Sequence, residues 1–127
     1  MTVIAAPTAT LPTAWAHLHA ALDERRPVAV AYHGLLRVVC PHALGWRHGR
    51  AMVLGYQVGG QTSTGHLDPD PAKRWRCMYI DEIERVATDV EAAWQTPANY
   101  NPQHPFNAID QLSAAISDDT TTPRSVE

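Results

Sequence analysis

Phenylalanine occurs once in this sequence, cysteine twice, and charged residues make up only 18% of it. No apolar stretch is long enough to cross a membrane as a helix. The opening Met1-Thr-Val-Ile-Ala-Ala-Pro7 lacks the basic start and extended apolar run of a secretory signal, so the expected location is cytoplasmic. In a reducing compartment Cys40 and Cys77, both on expected strands, are read as buried thiols rather than a bridge. Cys40 and His42, even with Cys77, do not have a structural-zinc spacing and bring no fourth ligand. Gly59-Gly60 followed by Thr62 to Gly65 has the look of a phosphate loop without the lysine and hydroxyl residue that complete one. Asp81, Glu82 and Glu84 follow a strand in a turn-like stretch and are read as solvated turn carboxylates. These absences lead to a non-enzymatic reading with no metal and no cofactor. No internal repeat is present.

What remains is 127 residues, 45% of them hydrophobic, enough for one domain with a small core. The net charge of −3 hides an uneven distribution. Between Arg25 and Lys73 the only carboxylates are Asp68 and Asp70, whereas Arg25, Arg26, Arg37, Arg47 and Arg50 are all cationic. Lys73, Arg74 and Arg76 follow, before the acids of 81–91. A positive region on an acidic protein permits an anionic ligand, and is equally what solvated arginines would give.

In chain order, residues 1–10 read as a flexible arm. Trp15, Leu18 and Leu22 recur at helical spacing, predicting a helix from about Leu11 or Thr13 to Arg25, capped by Thr10 or Thr13 and ended by Pro27. His17 and His19, two residues apart, fall on different faces and form no metal pair. Val28 to Tyr32, Leu35 to Pro41 and Ala51 to Val58 read as three strands of a meander, with turns at His33-Gly34 and Arg47-His-Gly49. The polar stretch Gly59 to Lys73 exceeds a usual hairpin loop, so it is either mobile or functional. A fourth strand is expected at Trp75 to Ile80 and a fifth near Glu84 to Thr88. Residues 94–116 read as a proline-rich linker and a second helix, from roughly Gln103 to Ile116, with Phe106, Ile109, Leu112 and Ile116 in one stripe. Residues 117–127 read as a disordered tail. The expected fold is mainly β with flanking helices: a small Sm-like or SH3-like five-stranded β-barrel, residues 11–93, with an N-terminal and a C-terminal helix.

The meander also holds the densest set of polar groups that could face a ligand: Tyr32, Arg37, His42, Tyr56 and Gln57. The arginine fork suits phosphate, and Tyr32, Tyr56 or Trp75 could stack a base if they converge on Arg37 and Arg76. Trp75 and Arg76 are adjacent on one strand and so point to opposite faces. One of the two is then a core residue while the other belongs to the site.

The run Ala21-Leu-Asp-Glu-Arg-Arg-Pro-Val-Ala-Val-Ala-Tyr32, with Arg37-Val-Val-Cys-Pro-His42, Leu54-Gly-Tyr-Gln57 and Trp75-Arg-Cys-Met-Tyr-Ile-Asp-Glu-Ile83, resembles the WYL domain, in particular its short stand-alone members. The resemblance spans about residues 18–110 and rests on order and spacing. Ala51-Met-Val53 stands where the tripeptide that names the family would be. The resemblance implies an Sm-like barrel acting as a regulatory ligand-sensing module, in bacterial transcription regulation or phage defence, for nucleotides or nucleic acids. The family's polar positions would fall on Tyr32, Arg37, His42 and Arg76, with Tyr56 and Gln57 beside them. The arm and single helix before the first strand are too short for a helix-turn-helix domain, so a separate DNA-binding partner protein is expected. Two alternatives stay open: a structural homo-oligomer built through the barrel and the 106–116 helix, and direct binding of single-stranded nucleic acid.

Overall fold

The computed structural model describes residues 10–101 and 111–116. Residues 1–9 of the expected arm, the tail and most of the expected second helix, including Phe106 and Ile109, lie outside the described residues.

Helix α1 spans Leu11–Glu24 and buries Ala14, Leu18, Ala21 and Leu22, one stripe at i, i+4, i+7 and i+8. Trp15 flanks that stripe and stacks on Trp46 with centroids 5.1 Å apart. Thr10 is the N-cap residue but makes no side-chain cap; its hydroxyl donates instead to that of Thr13. The helix stops at Arg25, which takes the left-handed conformation while the N–H of Arg26 reaches back to the carbonyl of Ala21. Pro27 then leads directly into the first strand.

Three antiparallel strands follow: β1 (Val28–Tyr32), β2 (Leu35–Arg47) and β3 (Arg50–Gly60). Both hairpins turn on His-Gly pairs with consecutive positive φ values, 52° and 77° at His33-Gly34 and 51° and 78° at His48-Gly49. This is the mirror-image turn whose twist matches the flanking strands. Strand β2 runs further than its expected end at Pro41 because His42 to Gly45 stay in the ladder through a bulge between Pro41 and Ala43. Gly55 opposes Pro41, and a Cβ there would lie 3.1 Å from that of Val39, so glycine admits a close side-chain approach.

Strand β4 (Trp75–Tyr79) pairs with β3 and β5 (Ile83–Ala87) with β1, giving the order β4-β3-β2-β1-β5. The expected barrel is not formed: β4 and β5 are joined by the 3-10 turn Ile80–Glu82, and the sheet does not close between them. The expected C-terminal helix is also corrected. Its described part is a sixth strand, β6 (Gln111–Ala115), paired with Ala43 to Trp46 of β2. Helix propensity in Gln-Leu-Ser-Ala-Ala is outweighed by an unfilled sheet edge, since β1 covers β2 only as far as Val39. The register shifts around Ser113, which leaves Leu112 at 47% exposure and Ile116 buried.

The core lies on the sheet face turned toward α1, built from Leu18, Leu22, Val28, Val30, Val39, Leu44, Val53, Met78 and Ile80. On the opposite face, residues 94–101 pack Trp94 and Tyr100 onto His42. Cys40 is buried, but Cys77 is exposed on β4, against the expectation of two buried thiols.

Candidate anion site

Strand alternation sorts the expected site residues into two groups. Tyr56 and Gln57 are consecutive on β3, as Trp75 and Arg76 are on β4, so each pair projects from both faces. Tyr56 meets Trp75 edge-on at 5.1 Å, whereas Arg76 Nε donates to Gln57 Oε1 at 3.0 Å. Gln57 and Arg76 therefore share the core face with Arg37 and Tyr32, which follow the alternation of Val39 and Val30. Tyr56 and His42 share the other face.

Arg37 sits in β2 between Val30 and Gly60. It is 9% exposed, and its Nε is enclosed with no hydrogen-bond partner. Among the described residues it has no carboxylate partner. Its guanidinium lies over the Tyr32 ring at 5.8 Å. Burial disfavours its charge, and so does the neighbouring Arg76 guanidinium, while Tyr32 acts the other way; the net shift is downward.

The other members of this group are held firmly. Gln57 is fully buried and donates to the carbonyls of Gly59 at 2.9 Å and Gln61 at 2.8 Å while accepting from Arg76. Arg76 also donates through Nη1 to the carbonyls of Lys73 and Trp75. Gln61 exchanges bonds with Leu36: its N–H reaches the Leu36 carbonyl, and its side-chain oxygen accepts the Leu36 N–H. Tyr32 donates its hydroxyl to Glu82 and accepts the N–H of Tyr79, both at 3.2 Å, bridging β1 to the end of β4. Burial is the main cause of the raised Tyr32 pKa.

His42 does not join Arg37 and Arg76. It is fully buried, with Nδ1 at 2.8 Å from the Cys40 carbonyl and Nε2 at 2.9 Å from the Thr96 hydroxyl. Trp94 stacks on its ring at 4.7 Å, and Trp75 and Tyr100 meet it edge-on at 5.0 Å. Burial lowers its pKa to about 4, so the ring is neutral near pH 7 and offers an anion no charge. Tyr56, 1% exposed, sits in the same cluster with its hydroxyl on the Pro71 carbonyl. The expected six-residue site thus separates into Tyr32, Arg37, Gln57 and Arg76 on one face and His42 and Tyr56 on the other.

Sequence reasoning missed the surroundings of each group. Thr96, Trp94 and Tyr100, from a segment read as linker, hold His42. Asp81 and Glu82, read as solvated, both bind Arg50, with Nη2 at 2.6 Å from Asp81 and 3.0 Å from Glu82. Glu82 also meets His33 at 2.7 Å, and that bond is the largest cause of its lowered pKa, ahead of Arg50. The loop after β3 is tied down by Gln57, Tyr56 and Asn99, whose amide reaches the Ala72 carbonyl. A surface groove of about 200 Å³ lies elsewhere, between His17 and Glu24 of α1 and Val28 and Thr88. Among the described residues no three His, Cys, Asp or Glu side chains gather as a metal site would require. No family model, curated protein or solved structure matches the chain.

Proposed function

We propose that this protein is a non-enzymatic regulatory module that binds an anionic ligand through Arg37 and Arg76. The observation that carries this reading is Arg37 itself. A nine-tenths-buried arginine with an unsatisfied Nε, beside a second guanidinium and without a carboxylate partner among the described residues, is costly unless something anionic completes it. Gln57 and Tyr32 keep the two cations in place. The resemblance to the WYL domain narrows the anion to a nucleotide or a nucleic acid, and it suggests a role in bacterial transcription regulation or phage defence with a separate DNA-binding partner.

Native mass spectrometry of the protein with a panel of nucleotides and short single strands tests this reading. A bound mass that disappears in both Arg37→Ala and Arg76→Ala is the expected result. Failure of every anion to bind the folded protein would overturn it. A second reading, a structural homo-oligomer, is favoured by one observation: Leu112 stands 47% exposed on strand β6. In that case Leu112→Ser would dissociate the assembly, and no ligand would be found.

A further inference from the structure

Among the described residues, no aromatic ring next to Arg37 and Arg76 has a face free for a base. Tyr32 is 8% exposed; His33 stacks on it at 4.0 Å and 17°, and the Arg37 guanidinium lies over the ring. Tyr56 is enclosed, and Trp75 projects away from Arg76 into the cluster of His42 and Tyr100. His33 keeps an exposed ring, but its Nε2 is held by the carboxylate of Glu82, which would repel a phosphate. A nucleobase bound at this site therefore lacks the stacking platform that single-strand binders use.

The charge around the site has the opposite character. Among the described residues Arg76 bonds only neutral acceptors, namely Gln57 Oε1 and the carbonyls of Lys73 and Trp75. Arg74 likewise donates to the carbonyls of Asp68 and Pro69. The two carboxylates of this loop are occupied by main-chain N–H groups: Asp68 accepts from Asp70, and Asp70 from Ala72. The charges of Arg37, Arg74 and Arg76 are thus left without an acidic partner among the described residues. Two neighbouring guanidinium groups suit a doubly charged phosphate better than a single carboxylate.

Building on the anion-binding reading above, we infer that the site recognises the phosphate groups of its ligand and is indifferent to any base attached to them. Inorganic polyphosphate chains and the phosphates of nucleotides are then equivalent to it. Selectivity comes from the number and spacing of the charges.

Isothermal titration calorimetry at fixed ionic strength, with tripolyphosphate, ATP, CTP and adenosine, tests this. The expected result is that tripolyphosphate, ATP and CTP bind with dissociation constants within about threefold of one another, because a stacked base would add roughly tenfold or more. Adenosine is expected to give no heat. Arg76→Ala, on a partly exposed side chain, and Arg37→Lys, which keeps charge at the buried position, should each weaken all three anions in parallel. His33→Ala should change none of them. Binding of ATP about tenfold tighter than tripolyphosphate, or a tenfold preference between ATP and CTP, would overturn the base-indifferent site and leave an anion site standing. Absence of binding by all three anions would overturn both.

Discussion

The side chain of Arg76 reaches from β4 to that of Gln57 on β3, Nε to Oε1 at 3.0 Å, and the buried amide thereby fixes the position of a cation. The same Gln57 holds the Gly59 and Gln61 carbonyls. Gln57→Ala would leave three groups without their partner. We expect a loss of about 3 kcal/mol in urea unfolding, given roughly 1–3 kcal/mol for each polar group left unsatisfied and some relaxation. Gln57→Glu keeps an acceptor for Arg76 but places a carboxylate at the site, so it is expected to abolish phosphate binding.

Gly60 has a φ of 84°, and a Cβ there would lie 2.4 Å from the Leu36 carbonyl oxygen and 2.9 Å from the Arg37 Cα. Gly60→Ala must therefore push β2 aside at Arg37, with an expected cost above about 2 kcal/mol and weakened anion binding. Gly34→Ala is the comparison: its φ is 77°, but the space around it is open, so only the conformational cost of about 1 kcal/mol is expected. Equal losses in chemical denaturation would contradict the steric argument.

The Tyr32 hydroxyl is the link between β1 and the N–H of Tyr79. Tyr32→Phe retains the ring under Arg37 and removes that acceptor, for an expected loss of about 1–2 kcal/mol. Hydrogen exchange at Tyr79 should accelerate in this variant more than exchange in the middle of β2.

His42 should make the fold acid-sensitive. Its folded pKa, about 4, lies below the unfolded value of 6.5, so its contribution to stability is complete above pH 6.5 and is lost as pH falls toward 4. The full effect is on the order of 3 kcal/mol. Stability measured from pH 7 to 4 should fall more steeply in the parent protein than in His42→Gln.

Cys77 is exposed, whereas Cys40 is buried with its pKa pushed up to about 11 by burial. A thiol reagent at pH 8 should label one cysteine in the native protein and both after unfolding. Rapid labelling of both in the native state would show that the 94–101 segment does not cover β2 as described.

The helix, the three-strand meander and the next two strands were legible because each carries a local signal: one apolar stripe, His-Gly turns, and β-branched or aromatic runs. Strand β6 was not legible, because its cause is not in its own residues. Gln111 to Ala115 form a strand because β2 outlasts β1, and that length is visible only once the bulge at His42 is known. Arg37 and Arg76 were readable as cations in a β context, and alternation alone separated Arg76 from Trp75. The placement of His42 depended on Trp94, Thr96 and Tyr100, distant in sequence and carrying no periodicity that would tie them to it.

Strand β2 has a divided edge, with β1 along its first half and β6 along its second. The two neighbours differ in loop-closure entropy: β1 closes through a two-residue turn, whereas Ala115 finds Ala43 across most of the chain. β6 is therefore expected to dock last in folding and detach first, together with Tyr100, whose hydroxyl holds the Ile116 carbonyl at 2.6 Å. Its departure would bare the main chain of β2 from Ala43 to Trp46 while the β1–β3 meander that carries Arg37 stayed intact.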